Sequence, residues 1–111
     1  MALIDDIKAS LRVSSSVMDA EVQMLIDAAL YDMERAGVNP ALLELNKEQN
    51  LDNALVKKAV TVSAKAAFGY DNPEAIRFEA SYESILNRIL NSRENIAAIA
   101  AEGAESGESG D

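Results

Sequence analysis

The sequence predicts an all-α protein, a small antiparallel helical bundle of about four to five helices with a flexible acidic C-terminal tail. Apolar residues recur at helical spacing along four separate segments, as they do in helices that bury one face. No alternating apolar and polar run is long enough for a strand. Because the connections between the segments are short, neighbouring helices are expected to be antiparallel.

The first two helices are predicted from their apolar spacing and from the residues at their ends. The apolar positions of the first helix are Leu3, Ile4, Ile7 and Leu11. Ser16 followed by Asp19 resembles a capping box, which opens a second helix that runs to Ala36 and ends at Gly37. The core face of this second helix is expected to hold Val22, Leu25, Ile26, Ala29, Leu30 and Met33.

A second apolar strip lies on the opposite side of this helix. It consists of Met24, Ala28 and Tyr31, and acidic residues border it. An apolar strip bounded by charge on the far side of a core helix is typical of a partner surface. The alternative is scattered surface apolarity, which is common on folded proteins.

The middle of the chain predicts a turn, a loop and a central helix. Asn39-Pro40 is suited to cap one short helical turn, and Asp52 or Asn53 is suited to cap the helix that follows the polar loop. That helix ends at Phe68 and carries an apolar arc of roughly 160°, so neighbours are expected to cover it on more than one side. The arc consists of Leu55, Val56, Ala59, Val60, Val62, Ser63, Ala66 and Ala67.

A sharp corner separates the central helix from the last core helix. Gly69 is expected to stop the first, and Asp71 with Pro73 to start the second, which reaches about Asn91. The apolar face of this last core helix comprises Ala75, Phe78, Tyr82, Ile85, Leu86, Ile89 and Leu90.

The chain is predicted to divide into a helical domain over residues 1–91 and a C-terminal extension over residues 92–111. Within the extension, residues 93–101 have high helix propensity but too little bulk for a core, so they are expected to form a docking helix. Residues 102–111 hold four acids, no base and three glycines, a composition that predicts a disordered tail.

The composition restricts the chemistry that the protein can perform. The sequence contains neither cysteine nor histidine, so it lacks thiol nucleophiles, disulfides and the commonest general base. Two carboxylate pairs, Asp5 with Asp6 and Asp71 with Glu74, are explained by their positions at helix starts. We therefore predict no catalytic residue, no metal site and no cofactor, and the protein is not expected to be an enzyme.

Charge and hydropathy restrict the partners. A net charge of −9 argues against a protein that reads DNA sequence. No signal peptide is expected at the N-terminus, and no apolar run is long enough to cross a bilayer.

Two further groups of side chains have a functional and a structural interpretation. The lysines Lys57, Lys58 and Lys65 could meet phosphates or the acids of a neighbour, but a solvated flank is the favoured interpretation. The aromatic residues Phe68, Tyr70 and Tyr82 could form a recognition site, but we favour an aromatic corner that holds two helices together.

One set of residues forms a pattern around the central helix and the corner after it. It consists of Leu55, Val56, Lys57, Phe68, Gly69, Tyr70, Asn72, Pro73 and Tyr82. In this order and spacing, the set resembles the head-to-tail connector proteins of tailed bacteriophages, which are also described as head-completion, adaptor or DNA-packaging proteins. Residues 19–29 are similar to the second helix of that family, and the likeness extends over about residues 2–91.

The resemblance implies a structural virion protein without an active site. It implies a homo-oligomeric ring of about twelve copies below the portal protein, which extends the DNA channel and joins the filled head to a downstream neck or tail-completion protein. Packaged double-stranded DNA would pass through without sequence recognition, and an acidic wall would let it slide. The protein would be made in the bacterial host cytoplasm and reside in the neck of the virion, without contact with a membrane.

Within this hypothesis, two sets of residues are assigned to contacts. Met24, Ala28 and Tyr31 are expected at the subunit interface. Arg93, Ile96 and Ile99 are expected to dock on the portal, because a short helix of small residues can lie in a groove. The alternative is a small helical regulatory or antitoxin-like module that binds one protein partner and forms no ring.

Overall fold

Five α-helices and two short 3-10 turns make up residues 2–68 and 72–109, the part of the chain that this computed structural model describes. The helices are α1 (Leu3–Leu11), α2 (Asp19–Ala36), α3 (Ala54–Ala67), α4 (Ala75–Leu90) and α5 (Arg93–Ser109). The 3-10 turns are Ser16–Met18 and Pro40–Leu42. Within the described ranges there is no strand, and the prediction of a small all-α bundle is confirmed.

Helix α3 is the centre of the bundle, as predicted, since it packs against α1, α2 and α4. Its fully buried residues are Val56, Ala59, Val60 and Ala64. The predicted arc was displaced at one edge: it omitted Ala64, which is buried, and included Ala67, which is exposed. Ala67 is the last residue of α3, where the cover from neighbouring helices ends.

Helix α2 buries the predicted face and begins differently from the prediction. The side chains of Val22, Ile26, Ala29 and Met33 are buried, and those of Leu25 and Leu30 pack partly against them. Gly37 ends the helix with φ 115°, a left-handed conformation that favours glycine. The predicted capping box was wrong, because Ser15 rather than Ser16 accepts a hydrogen bond, from the Val17 amide at 3.2 Å. Asp19 instead forms an ion pair with Lys8 of α1.

Asparagine side chains begin two of the remaining helical elements and organise the turn before a third. Asn39 accepts from the Ala41 amide at 2.9 Å, and Asn53 accepts from the Leu55 and Val56 amides at 3.0 and 3.1 Å, which confirms both predicted caps. The turn before α4 is organised by Asn72, which accepts from the Glu74 amide at 3.1 Å and donates to the Lys65 carbonyl at 2.6 Å.

The corner itself falls partly outside the described residues. The predicted stop at Gly69, the cap at Asp71 and the aromatic Tyr70 all lie there. Helix α4 begins at Ala75, after Pro73, and ends at Leu90, close to its predicted end.

Helix α5 starts two residues after the Asn91 cap of α4 and contacts both α4 and the Pro40–Leu42 turn. It runs to Ser109, past the end of the docking helix predicted over residues 93–101. Alanine and glutamate, which dominate this segment, both have high helix propensity. The division of the chain after residue 91 and the disorder of the acidic tail stay predictions. Over the described residues, no helix combines the length and the hydrophobicity that a membrane crossing needs.

Candidate interaction surfaces

The strip of Met24, Ala28 and Tyr31 is exposed along the outer side of α2. The side chain of Met24 is 71% exposed and that of Tyr31 is 61% exposed, although both are large and apolar. Ala28 between them is exposed as well. The structure therefore brings the three predicted residues together on the face of α2 that points away from the core.

Acidic side chains border this α2 strip. Asp27 and Glu34 lie along one edge and Glu21 along the other, and all three are exposed. At the C-terminal end, Arg35 donates to the Tyr31 hydroxyl at 3.4 Å, and its guanidinium lies 5.8 Å from the centre of the Tyr31 ring. Helix α2 carries five acids and one base, so its outer face is apolar in the middle and negative at its edges.

A shallow groove of about 340 Å³ continues the α2 strip towards the turn after α2. Its apolar lining comes from Leu30, Tyr31, Pro40 and Leu43, and its charged lining from Asp27, Glu34 and Glu44. Tyr31 belongs to both the strip and the groove, so a partner bound to α2 would also reach the Pro40–Leu42 turn.

Asn95 fixes the start of α5 to the bundle. Its side chain is only 1% exposed, and its Oδ1 accepts from the Asn39 amide at 2.7 Å. Its Nδ2 donates to the carbonyls of Gly37 and Leu90 at 3.4 and 3.5 Å. One amide therefore joins the ends of α2 and α4 to the start of α5.

Sequence reasoning missed Asn95, because an asparagine in an alanine-rich segment has the composition of a surface residue. A signal was nevertheless present in the spacing. Ser92 stands three residues before Asn95 and caps α5, since its Oγ accepts from the Asn95 amide at 3.2 Å. A cap at Ser92 indicates a helix that begins close to the end of α4 and therefore close to the core.

The three residues predicted to dock on a portal are exposed on α5. Ile96 is 56% exposed and Ile99 is 49% exposed, and Arg93 lies on the surface at the first position of the helix. Asn95 faces the bundle and fixes the start of α5. The two isoleucines therefore project from a helix whose position is already set. The structure thus presents Ile96 and Ile99 to a partner without exposing the core.

A wider groove of about 520 Å³ lies beside the root of α5. Its apolar lining consists of Ala41, Leu42, Ala54 and Leu55. Its charged lining consists of Glu44, Asp52 and Glu94, all acidic. Such a groove suits an apolar segment with basic flanks.

The lysines of α3 have three different roles. Lys57 donates to Asp6 at 2.7 Å, and Asn50 donates to the same carboxylate at 2.8 Å, so α1, the polar loop and α3 are joined. The hydrogen bond from Lys57 is the main reason that the pKa of Asp6 is lowered. Lys65 lies 5.8 Å from the centre of the Phe78 ring, and Lys58 is exposed. The favoured solvated flank therefore describes Lys58 and not Lys57.

Tyr82 joins α4 to α2. Its hydroxyl donates to the Asp32 carboxylate at 2.6 Å. Burial raises the pKa of Tyr82, and the nearby Asp32 charge raises it further, because both disfavour the tyrosinate. Phe68 packs against the core. The Tyr82 hydroxyl thus joins α4 to α2 and not to α3, and Tyr70 lies outside the described residues, so the aromatic corner stays a prediction.

Among the side chains that the structure describes, those of residues 2–68 and 72–101, no three carboxylates come close enough together to hold a metal ion. The exposed α2 strip, helix α5 with its start fixed by Asn95, and the two acidic grooves are features of contact surfaces. Comparison with known families identifies the kind of protein that uses them. The family described as phage connector protein matches residues 3–96.

The chain belongs to the phage connector protein family.

This membership confirms the resemblance and gives the protein a role as a phage head–tail connector. The family is structural rather than enzymatic, and its members suggest a location in the virion. No curated protein and no solved structure gives a significant match to this connector.

The family match covers α1 to α4 and the root of α5, including Asn95 and Ile96, and ends before Ile99. In the connector, several residues of the recognised pattern have clear structural roles. Val56 is in the core, Lys57 binds Asp6, Asn72 organises the turn before α4, and Tyr82 binds Asp32. These residues of the pattern therefore lie in the core, at contacts between helices or in the turn before α4.

Proposed function

We propose that this connector assembles as a homo-oligomeric ring of about twelve copies below the portal, extends the DNA channel and joins the filled head to the tail. The observation that carries the proposal is the combination of the family match with the exposed α2 strip. An exposed apolar strip bordered by acidic residues is typical of a contact surface, so it supports contacts between subunits.

The proposed partners follow from the exposed surfaces. The portal would bind α5 through Arg93, Ile96 and Ile99, and a neck or tail-completion protein would bind the opposite end of the ring. Double-stranded DNA would pass through without specific contacts, because a net charge of −9 supplies few cations for phosphates. The protein would be made in the host cytoplasm and then reside in the virion neck.

Electron cryo-microscopy of the connector mixed with heads that carry the cognate portal tests the proposal directly. A ring of added density below the portal, with α5 against it, is the expected result. Heads without portal are the matched control and should gain no density. Absence of added density at saturating protein concentration would overturn the proposal and favour a regulatory module that binds a single partner.

Heads are preferred to the isolated protein, because a ring that needs the portal as a template would not form in solution. Binding to the portal adds free energy that the free subunits lack. The mass of the free protein therefore does not decide the question.

A further inference from the structure

We propose that neighbouring copies of this chain meet through two different faces: the acid-bordered α2 strip of one copy and a lysine-bearing face of α3 on the next. The inference rests on the proposed ring and names the surfaces that would close it. A ring is built from heterologous contacts, in which each subunit offers two distinct and complementary patches.

The α3 face consists of Ala54, Lys58, Thr61 and Lys65, which follow one another at i, i+4, i+7 and i+11 along the outer side of the helix. Ala54 and Lys58 are exposed, and Thr61 and Lys65 are half-buried. Helix α3 carries three lysines and no acid. Lys57 binds Asp6, which leaves Lys58 and Lys65 as the cations of this outer face.

Arg77 of α4 lies beside this face and forms an ion pair with Glu74 at 3.3 Å. Its guanidinium lies 5.7 Å from the centre of the Phe78 ring, and the Lys65 ammonium lies 5.8 Å from the same centre. Phe78 thus holds a cation of α3 and a cation of α4 close together. Because Glu74 offsets the charge of Arg77, Lys58 and Lys65 of α3 remain the cations that this face offers to a neighbour.

The two proposed faces lie on different helices, each on the side opposite the buried residues of its helix. Helices α2 and α3 pack against each other, and each buries one side, with Val22 and Ile26 on α2 and Val56 and Val60 on α3. The α2 strip and the α3 face lie on the sides of their helices away from these buried residues. A subunit can consequently contact one neighbour through α2 and another through α3, as a closed ring requires.

The chemistry of the two faces is complementary. Asp27 and Glu34 border the α2 strip, and Lys58 and Lys65 are positioned along the α3 face to meet such acids. The aliphatic stems of the lysines, together with Ala54, offer apolar cover for Met24 and Tyr31. Pairing the α2 strip with its own copy would instead bring acidic edges together, and like charges across an interface are unfavourable.

Cysteine cross-linking tests this pairing cleanly, because the chain contains no cysteine of its own. The full chain would carry Ala28→Cys on α2 and Ala54→Cys on α3, and a short bismaleimide would be added to the free protein and to protein bound to portal-bearing heads. The expected result is a ladder of cross-linked multimers. The matched control pairs Ala28→Cys with Ala80→Cys, an exposed alanine on α4, and should give no ladder.

Two outcomes would overturn the pairing. Cross-linked dimers from Ala28→Cys alone would show a two-fold contact between α2 strips. Absence of a ladder in both preparations would show that the two faces do not meet. Cryo-microscopy density on the same heads decides the proposed function separately, so a ring without the cross-link removes the pairing and leaves the connector role.

Charge reversal gives an independent test of the same contact. Glu34→Lys or Lys58→Glu alone should lower the cross-linked yield roughly tenfold, since each places like charges together. A chain with both changes restores opposite charges and should recover the yield. Lys47→Glu, in the exposed loop, is the control and should have no effect. Failure of the double variant to recover would contradict the pairing of these two residues.

Discussion

Asn95 shows how one polar side chain can determine the position of a whole helix. Its amide accepts from Asn39 and donates towards the carbonyls of Gly37 and Leu90, so the ends of three helices meet at one residue. A buried donor that loses its partner retains the cost of its desolvation. The stability of this junction therefore depends on Asn95 more than on the small side chains around it.

Replacing Asn95 with leucine should loosen the root of α5. The Asn39 amide would lose its 2.7 Å acceptor in a buried site, at a cost of about 2 kcal/mol. Urea denaturation should show the lower stability, and hydrogen exchange should show reduced protection of the Asn39 amide. Asn87→Leu, at an exposed position on α4, is the control. Unchanged protection at Asn39 would contradict the role given to Asn95.

Asp6 predicts a specific dependence of stability on pH. Hydrogen bonding to Lys57 lowers the pKa of Asp6 from 3.8, so the folded state favours the charged carboxylate. This contribution is complete above the unfolded-state pKa and is lost as the pH falls through the lower folded-state value. Because the pair is partly exposed, its contribution at neutral pH is at most about 1 kcal/mol.

The measurement is thermal unfolding of Asp6→Asn and the natural sequence from pH 7 down to pH 2. The difference in stability between the two should be present at pH 7 and shrink below about pH 4. Glu48→Gln, an exposed loop carboxylate, provides the control. A difference that stays constant over the whole range would show that the charge of Asp6 is not responsible.

At the scale of the helices, the sequence carried most of the information about α1 to α4. Apolar spacing identified the buried faces, and side chains such as Asn53 identified where helices begin. The errors concern features that depend on neighbours. Ala64 is buried because other helices cover it, and Asn95 is buried because its side chain reaches the end of α2. Neither contact leaves a periodic signal in the chain.

The candidate contact residues of α2 could also be found from the helical spacing of apolar residues. Large apolar side chains on the outer side of an amphipathic helix break the pattern, so the spacing alone distinguishes Met24 and Tyr31 from the polar residues around them. The partner of a surface is a different matter. Nothing in the spacing of Met24 and Tyr31 says which face of which molecule covers them.

The exposed isoleucines of α5 give a prediction about attachment. Ile96→Asp with Ile99→Asp should leave the bundle folded, because both side chains are about half exposed. The same variant should lose binding to portal-bearing heads, since charged groups would have to be desolvated in the proposed contact with the portal. Circular dichroism checks the fold and co-sedimentation with heads checks the binding. Normal binding by the folded variant would show that the portal contact lies elsewhere.

At the scale of the whole molecule, acidic and basic residues are concentrated on different helices. Helix α2 carries five acids and one base, whereas α3 carries three lysines and no acid. A molecule with oppositely charged sides can associate head to tail, and its association weakens as salt screens the charges. The net charge alone would not reveal this polarity.

Replacing Tyr31 with aspartate should weaken contacts between subunits without unfolding the domain. Tyr31 is 61% exposed, so the substitution should lower the stability of the folded monomer only slightly. An assembled ring would have to bury the new charge. The measurement is the completeness of the ring on portal-bearing heads by cryo-microscopy. Ile76→Asp, at an exposed residue of α4 outside the strip, is the control. An unaltered ring in the Tyr31 variant would exclude the α2 strip from the subunit contact.

The junction at Asn95 also sets the rotational phase of α5. A helix turns by about 100° for each residue, so fixing Asn95 against the bundle also fixes the angular position, around the helix axis, of every side chain that follows. One alanine inserted after Asn95 would swing Ile96 and Ile99 about a quarter of a turn around the helix axis and leave the root untouched. The composition and length of α5 would hardly change, yet Ile96 and Ile99 would project from a different side of the helix and would no longer face the same partner surface.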